Sequence, residues 1–582
     1  MLNEDPRPDD LPDGPTGYAA LPPDYPPPTA SAGGSGGSGG SMQGRSWQRP
    51  ALAAVAVVAV VAAVVLAVWR IGNPTPAAQP RVPVTSSGAA TPSPSNGTPS
   101  PSSTAGQGYP AALADFYTQK LDWSPCADNA KHRCTTMVVP VDYAKPKGDR
   151  FTLALRKAPA TDPGKRIGSL VINPGGPGGS GVEYAQYASY VFSPAVRAAY
   201  DIVGFDPRGI GASSPVQCLS NSDMDLLFSA DPTPDSAAER STLLADVDGV
   251  TKRCAARGGS RAMHMSTTEV ARDMDVMRVL LGDSRLNFFG GSYGTFLGAI
   301  YADTFPQKVG RMVLDSAMSP NQTDEQEMTY DIQGFESSID AFIGWCVTRS
   351  DCALGSDKGS ARQKIVDLLD QVEKHGLTTS KPGLTTIGEG WVGFSIFMCL
   401  YSDSSWPTLN KGLAQAFTGK GDILLAKGMS VVERNITGDY APSSYLQAMI
   451  PVRCADWPRF TSDPTLAAEQ KSAKAAHPLW ARMTGELYDN CRTWPAAGRA
   501  PKGTTLAQGA APILVIGNER DPATPIGGTK QLAKDLASGI LLTSDHDGHG
   551  TYYAGNSCVD SAVDGYLLRG TAPADGTTCG AY

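Results

Sequence analysis

The amino-acid sequence predicts an α/β protein whose central sheet is mostly parallel. The chain has 582 residues, which is enough for several segments or for one elaborated domain. Short apolar runs of the kind buried in parallel sheets alternate with stretches of helical spacing, as is typical of a doubly wound architecture. The runs that we predict to be buried strands are residues 169–172, 200–205, 286–289, 311–314 and 512–516.

Other segments complete the predicted globular region. Residues 151–155 alternate apolar and polar side chains, which indicates a half-exposed antiparallel strand. The clearest helix begins at Ser266, where Ser-Thr-Thr-Glu forms a capping box ahead of apolar residues at helical spacing. Residues 320–501 break the alternation, because their pattern is largely helical and rich in tryptophan. We predict that they form an inserted cap, which divides the core into residues 109–319 and 502–582.

The N-terminal part of the chain predicts a tail, a membrane span and a stalk. Residues 1–49 can form no core, and we expect a disordered cytoplasmic tail. Residues 51–68 are only Ala, Val and Leu, so a transmembrane helix is predicted over residues 50–70. A cleaved secretory signal would lie closer to the N-terminus and be shorter, and a buried soluble helix is the other alternative. Residues 71–108, rich in Pro, Ser and Thr, indicate a solvated stalk.

Composition and cysteine usage restrict the partners and the compartment. Charged residues make up 18% of the chain and its net charge is -8, without basic blocks, so we expect no nucleic-acid partner. All eleven cysteines lie beyond residue 125, which favours disulfides over reduced thiols or a metal site. Disulfides would place the globular region outside the cytoplasm, at the outer side of the cell membrane. Close spacing favours the pairs Cys126–Cys134, Cys346–Cys352 and Cys558–Cys579, and Cys399 is the candidate for an unpaired buried thiol.

A strand, a Gly-x-Ser-x-Gly turn and a helical pattern follow one another over residues 286–305. This order is the context that a nucleophile elbow requires, in which a sharp turn presents a serine hydroxyl. Glycines leave room for the close approach of strand and helix. Ser292 is therefore the candidate nucleophile.

A serine hydroxyl needs an adjacent base, which in turn is oriented by a carboxylate. Of the two histidines near the C-terminus, His549 is favoured because glycines flank it, whereas His546 between two aspartates has the pattern of a solvated turn. Asp521 follows a predicted strand and is the candidate acid. Asp315, at the end of an earlier strand, is the competing candidate, with turn capping as its more ordinary role.

The glycine-rich segment 173–181 follows directly on a predicted strand. Its bare backbone suits an oxyanion loop, which must aim N–H groups at developing negative charge. We predict the donors to be the N–H groups of Tyr293 and Gly176. The alternative is a phosphate-binding loop, but the Gly-Lys-Ser/Thr ending of such loops is absent.

Together these motifs resemble the tripeptidyl aminopeptidase and proline iminopeptidase branch of the α/β-hydrolases. The resemblance is carried by residues 173–181, 204–211, 290–295, 521–525 and 547–550. It implies an α/β-hydrolase fold with a helical cap, and a secreted or surface exopeptidase that acts on the N-termini of peptide substrates. The catalytic residues of the family map onto Ser292, Asp521 and His549. Proline iminopeptidases have His where this chain has Pro174, which favours the tripeptidyl branch.

An aminopeptidase must also hold the ammonium group of its substrate, which calls for carboxylates. Asp456 and Glu183 are the candidates. We expect no metal and no cofactor, because serine hydrolysis needs neither, and the oligomeric state stays open. An esterase or lipase on the same triad is the alternative activity, since the fold does not determine the acyl group. A catalytically inactive surface binding protein of the same fold is the third possibility.

Overall fold

A single mixed sheet of ten strands forms the centre of the described part of the chain. The structure, a computed structural model, describes residues 109–441, 445–456, 471–484, 491–495 and 505–581. The strands of this sheet are β1 (Ser124–Pro125), β2 (Arg133–Pro140), β3 (Arg150–Ala158), β4 (Gly168–Asn173), β5 (Tyr200–Phe205), β6 (Leu286–Gly291), β7 (Val309–Asp315), β10 (Ile513–Arg520), β11 (Gly539–Asp547) and β12 (Thr577–Cys579). Two further strands, β8 (Leu377–Thr378) and β9 (Thr386–Ile387), pair with each other apart from the sheet.

The spatial order of the strands is β1-β2-β3-β5-β4-β6-β7-β10-β11-β12. The first three strands pair antiparallel, and β3 pairs antiparallel with β5. From β5 to β12 every pairing is parallel. The prediction of an α/β fold with a mostly parallel sheet is therefore confirmed. One prediction was wrong, because His546 lies in strand β11 and not in a solvated turn.

Helices cover both faces of the sheet. Because side chains alternate along a strand, Phe288 packs into one hydrophobic core and Phe289 into the other. The helices are α1 (Ala114–Thr118), α2 (Gly181–Gln186), α3 (Ala188–Val191), α4 (Pro194–Ala199), α5 (Asn221–Ser229), α6 (Ala237–Ala262), α7 (Thr267–Leu280), α8 (Tyr293–Thr304), α9 (Asp324–Val347), α10 (Lys358–His375), α11 (Glu389–Leu400), α12 (Trp406–Ala416), α13 (Asp422–Val431), α14 (Leu446–Asp456), α15 (Pro478–Thr484), α16 (Ile526–Asp535) and α17 (Ser557–Arg569). The helix predicted at Ser266 is α7, and the Ser266 side chain caps it by accepting from the Glu269 N–H.

The segment between β7 and β10 is the one for which a cap is predicted. Its described residues form α9 to α15 and the small sheet of β8 and β9. Helix α5, from the connection between β5 and β6, packs on the same helices, and its Phe228 ring lies 4.8 Å from the Trp391 ring. The boundaries of the predicted cap, residues 320–501, stay a prediction.

Five disulfides cross-link the described residues. The three predicted pairs are confirmed, and Cys218–Cys254 and Cys454–Cys491 are present in addition. Cys399 is free and buried, as expected, and burial raises the pKa of its thiol to about 12. The last two pairs join residues 36 and 37 positions apart, a spacing that gave no signal in the sequence.

The predicted membrane span over residues 50–70, the tail and the stalk lie outside the described residues. None of the helices in the described part of the chain is long and apolar enough to cross a membrane.

One buried ion pair joins the core near the glycine-rich segment. Arg208 is fully buried and donates two hydrogen bonds to Asp273, from Nε at 2.8 Å and from Nη2 at 2.6 Å. Its remaining N–H groups donate to the backbone oxygens of Pro140, Val141 and His264. Arg208 belongs to the segment 204–211 that carries part of the family resemblance, and its burial and hydrogen bonds give it a structural role here.

We expect Asp273→Asn to lower the free energy of unfolding by about 3–5 kcal/mol, because it removes the charged partner that binds the buried Arg208 at two points. Asp351→Asn is the matched control, since Asp351 pairs with Arg349 on the surface and its loss costs about 0.5 kcal/mol or less. Chemical denaturation of both variants measures the difference. Equal losses would contradict the prediction.

Candidate active site

Ser292 lies at the turn between strand β6 and helix α8. Its backbone has φ 55° and ψ -129°, a region that residues with a side chain rarely occupy. Such strain persists only where the surrounding structure holds it, and it is the conformation expected of a nucleophile elbow. The turn places the Ser292 side chain at the N-terminus of α8, where the first backbone N–H groups have no partner within the helix.

The glycine-rich segment packs directly on this turn. A Cβ atom added to Gly175 would come within 2.9 Å of both the Ser292 Cβ and the Tyr293 nitrogen. A side chain at that position would therefore fill the space beside the nucleophile. The next residue, Gly176, has φ 112°, and its N–H donates to no acceptor in the described residues. Gly176 and Tyr293, the two predicted oxyanion donors, thus come from segments in contact with each other.

Asp206 holds the glycine-rich segment in place. One carboxylate oxygen accepts from the Ser180 hydroxyl at 2.6 Å and from the Val182 N–H at 3.1 Å. The other oxygen accepts from the Ala212 N–H at 2.8 Å. The Asp206 side chain therefore ties the end of β5 to the loop that crosses the elbow. Asp206 lies within residues 204–211, which carry part of the family resemblance, and its bonds to the loop depend on the fold.

His549 and Asp521 are in direct contact. The His549 Nδ1 lies 2.9 Å from Asp521 Oδ2 and 3.0 Å from Oδ1. Both side chains are buried. An ionised carboxylate can only accept, so the imidazole carries its proton on Nδ1 and presents a lone pair at Nε2. This is the tautomer that a general base needs.

The end of strand β7 fastens the histidine loop to the elbow. The Ser292 N–H donates to the Asp315 carbonyl at 2.9 Å. The Asp315 carboxylate accepts from the Thr551 N–H at 3.0 Å, and the Ser316 hydroxyl accepts from the Gly550 N–H at 2.8 Å. Asp315 therefore makes no bond to the imidazole and holds the loop instead, which is the structural role expected of the competing acid.

The hydrogen bond from Ser292 to His549 is not formed in this structure. The Nε2 atom of His549 is buried and has no hydrogen-bond partner among the described residues. Hydrogen bonds of this kind are often long or misaligned in enzymes without substrate and tighten once substrate binds. The structure therefore shows the strained Ser292 and the contact between His549 and Asp521, and it shows no bond between Ser292 and His549.

Thr524 is a member of this cluster that the sequence analysis missed. Its hydroxyl lies 3.0 Å from Asp521 Oδ2 and 3.1 Å from His549 Nδ1, and its N–H donates to Asp521 Oδ1 at 2.9 Å. An aspartate followed three residues later by threonine is a turn in which side chain and backbone bond to each other. That pattern was present in the sequence as a signal.

Tyr401, at the end of helix α11, contacts the histidine from the cap side. Its carbonyl accepts from the His549 N–H at 2.8 Å, and its ring centroid lies 5.2 Å from the imidazole in an edge-on arrangement. Burial raises the pKa of the Tyr401 hydroxyl, and the nearby Tyr445 adds to this effect. The cap thus supplies one wall of the site.

The two predicted ammonium ligands lie in different environments. Glu183, in the first turn of α2, reaches solvent. Asp456 is buried, and both of its oxygens accept hydrogen bonds from Thr267. A side chain so engaged is not accessible to a substrate. The structure therefore leaves Glu183 exposed in the first turn of α2 and places Asp456 inside the protein.

In the described residues, Asp142, His264 and Glu269 bring three potential metal-binding atoms within 4.8 Å of one another. Cations of the protein already face this group, since Lys145 lies 3.5 Å from Asp142 and Arg208 lies 3.7 Å from Glu269. His264 also bonds to Glu269 at 2.9 Å. The cluster is explained as an ion-pair network.

Comparison with known proteins agrees with this geometry. A family described as alpha/beta hydrolase fold matches residues 168–361, which include Ser292, and one described as TAP-like protein matches residues 477–579, which include Asp521 and His549. The chain is 35% identical to serine protease Hip1 of Mycobacterium tuberculosis, over 79% of this chain and 91% of the relative. This chain belongs to the tripeptidyl aminopeptidase-like family of α/β-hydrolases.

Other relatives of this α/β-hydrolase carry different names. It is 30% identical to a tripeptidyl aminopeptidase of Streptomyces lividans, over 79% of this chain and 86% of the relative. It is 33% identical to carboxylesterase B of Mycobacterium tuberculosis, over 78% and 89% of the two chains. The predicted family is confirmed, and the protein is a serine hydrolase.

Proposed function

We propose that this serine hydrolase is an aminopeptidase that releases short peptides of the tripeptidyl type, or single residues, from the N-termini of peptides. Ser292 is the nucleophile, His549 the general base and Asp521 the residue that orients it. The contact between His549 and Asp521 supports this assignment. The strained Ser292 supports it too, because its N–H is bonded to the end of strand β7, which also holds the His549 loop. Relatives named serine protease and tripeptidyl aminopeptidase support the peptide substrate.

The reaction is acyl transfer to water. His549 Nε2 removes the Ser292 proton as the hydroxyl attacks the peptide carbonyl, and the Asp521 carboxylate stabilises the imidazolium that forms. The N–H groups of Tyr293 and Gly176 bind the resulting oxyanion. The imidazolium then protonates the leaving amine. In the second half of the reaction His549 removes a proton from water, which attacks the acyl-enzyme and releases the acyl group from Ser292.

Two neighbouring carboxylates near the glycine-rich segment support the aminopeptidase assignment. Glu183 lies in the first turn of α2, where its N–H donates to the Ser180 hydroxyl of that segment. Both Glu183 and Glu433 reach solvent, yet desolvation by the surrounding protein raises the pKa of each. The charge of Glu433 raises the pKa of Glu183 further, so the two carboxylates lie near each other. Two neighbouring carboxylates suit an ammonium group.

Glu433 also lies near the tyrosines beside His549. Burial raises the pKa of Tyr445 and the charge of Glu433 raises it further, and the Tyr401 ring packs on His549. Tyr445 also contacts the glycine-rich segment, because a Cβ on Gly178 would come within 2.9 Å of its Cα. Glu433 itself has φ 55°, a strained conformation that is common at ligand sites.

We expect Glu183→Gln and Glu433→Gln each to raise KM for a tripeptide amide with a free N-terminus by about ten-fold, because each removes one charged partner of the ammonium group. The value of kcat should change little. Glu239→Gln is the matched control, since Glu239 caps α6 on the surface and glutamine preserves the cap. Steady-state kinetics on free and N-acetylated peptides measures the effect.

The dependence of KM on a free N-terminal amine in the substrate decides this proposal. KM values for free peptides that remain at the wild-type level in both variants would contradict the role of the pair. Because the pKa of both carboxylates is raised, they take up protons at a higher pH than ordinary glutamates, so KM for free peptides should rise as the pH is lowered. The N-acetylated peptide should show no such rise.

The activity itself is tested with a mixed peptide library. The full-length protein in detergent is incubated with the library, and cleavage positions are read by mass spectrometry, with Ser292→Ala as control. Release of N-terminal tripeptides or single residues supports the proposal. The relative named carboxylesterase B favours an ester hydrolase as the second candidate. Ester turnover without any peptide cleavage would establish that candidate instead.

The anchoring of the enzyme is part of the proposal. The apolar segment over residues 50–70 spans the cell membrane, the tail before it is cytoplasmic, and the catalytic region lies outside. The five disulfides support an oxidising compartment for the catalytic region. Protease treatment of intact cells tests this, and protection of the catalytic region from the added protease would contradict it.

A further inference from the structure

Asp456, at the end of helix α14, is bonded to the residue that begins helix α7. Its Oδ1 accepts from the Thr267 N–H at 2.8 Å, and its Oδ2 accepts from the Thr267 hydroxyl at 2.5 Å. Both residues are buried. Carboxylates at the first turn of a helix interact favourably with the unpaired N–H groups there, yet this one comes from the cap.

The Thr267 hydroxyl also contacts the Tyr293 hydroxyl through a short hydrogen bond. The Thr267 hydroxyl has one proton, which it donates in a hydrogen bond to the ionised Asp456. The Tyr293 O–H is therefore the donor in the second bond. The result is a directed chain from Tyr293 through Thr267 to Asp456, entirely inside the protein. Tyr293 is the residue after the nucleophile, and its N–H is one of the two proposed oxyanion donors.

Helix α14 contacts the other half of the oxyanion hole as well. At its beginning, a Cβ on Gly178 would come within 2.9 Å of the Tyr445 Cα and 3.1 Å of the Ala448 Cβ. At its end, Asp456 is the last link of the chain from Tyr293. Helix α14 of the cap thus contacts the glycine-rich segment, which contains Gly176. Through Thr267 it also holds Tyr293, which provides the second N–H donor.

We propose that Asp456 is a positioning residue of the oxyanion hole, which through Thr267 holds Tyr293 in register with the glycine-rich segment. The inference rests on the proposed function, because it takes Ser292 as nucleophile and the Tyr293 N–H as oxyanion donor. Asp456 touches neither substrate nor reacting atoms. Its effect is on the alignment of the two donors, and misalignment in an active site is costly in rate.

The charge of Asp456 sets the direction of the hydrogen bonds that run from Tyr293 through Thr267 to Asp456. Burial raises the pKa of Asp456 to about 7, against the opposing hydrogen bonds from Thr267. Among the described residues, the ionisable groups that face it are Glu269 from α7, which raises the pKa further, and Tyr293 from α8. Below this pKa the carboxyl group donates to Thr267, Thr267 donates to Tyr293, and the buried tyrosine O–H loses its acceptor.

The test compares two pairs of variants in the full-length enzyme. Asparagine at 456 donates to Thr267 permanently and mimics the protonated acid, and Thr267→Val removes the link altogether. We expect Asp456→Asn and Thr267→Val to lower kcat by about ten- to a hundred-fold with KM nearly unchanged. Thr267→Ser keeps the hydroxyl and with it the hydrogen bonds to Asp456 and Tyr293. Its kcat should therefore stay within about two-fold of the wild-type value.

The pH profile separates positioning from a merely structural role. As the pH falls below about 7, log kcat of the wild type should decline with a steeper slope than that of Asp456→Asn, because only the wild type loses the charge of Asp456. Variants that melt earlier but keep the wild-type kcat and slope, or a Thr267→Ser enzyme as slow as Thr267→Val, would overturn the inference.

The same experiment distinguishes this failure from a failure of the proposed function. If Ser292→Ala retains peptide turnover, the nucleophile is misassigned and the oxyanion hole with it. If Ser292→Ala is inactive while Asp456→Asn and Thr267→Val behave as the wild type, the proposed function stands and the positioning role is wrong.

Discussion

Ser292→Ala should reduce peptide turnover by about 10⁴-fold or more, because the acyl-enzyme can no longer form. The variant should fold normally, since the Ser292 hydroxyl makes no hydrogen bond within the described residues and its backbone bonds remain. Turnover is measured with a tripeptide amide at saturating concentration, and labelling by a fluorophosphonate probe should be lost in parallel.

Ser222→Ala is the control for that substitution, because Ser222 is an exposed serine on helix α5. It should retain full turnover and full labelling. Residual turnover in Ser292→Ala above about one hundredth of the wild type would remove the serine from the mechanism. A folded wild-type protein that no fluorophosphonate labels would support the inactive binding protein instead.

Asp521→Asn should lower kcat by about 10⁴-fold, because an amide no longer fixes the imidazole in the tautomer that presents its lone pair to Ser292. The bonds from the N–H groups of Ala523 and Thr524 can still be made to the amide oxygen, so the turn should keep its shape. The fraction of folded enzyme is determined by circular dichroism, and kcat is expressed per folded molecule.

Asp315→Asn provides the comparison with the competing acid. Asp315 accepts from the N–H groups of Thr551 and Tyr552, so its replacement should lower the melting temperature. The kcat of the folded fraction should fall far less than in Asp521→Asn. The opposite ranking of the two variants would exchange the roles of the two aspartates.

Local patterns in the sequence were sufficient to predict the strained turn at Ser292 and to single out His549 and Asp521, which are in contact. The strand, turn and helix around Ser292 are contiguous in the chain, and the glycines on both sides of His549 indicated a loop. The close cysteine pairs were recognisable for the same reason. In each case the physical cause, a backbone conformation or a short loop closure, involves residues near one another in sequence.

The contacts that the sequence could not reveal join distant segments. Glu433 is 250 positions from Glu183 in the chain, yet near enough for its charge to raise the pKa of Glu183, and nothing in the sequence around Glu433 indicates this. Asp456 was expected to face the substrate, yet it points into the protein, because its hydrogen-bond partners lie on a helix almost 190 positions away. The side on which an acidic residue of a helix lies depends on packing, which no local pattern determines.

The order of the strands also has a consequence for biosynthesis. Ser292 follows β6, whereas Asp521 follows β10 and His549 follows β11, which are among the last parts of the chain to be made. Parallel strands β10 and β11 can join the sheet only after the whole cap has been synthesised. The growing chain therefore contains Ser292 well before Asp521 and His549, and these segments can come together only near the end of synthesis.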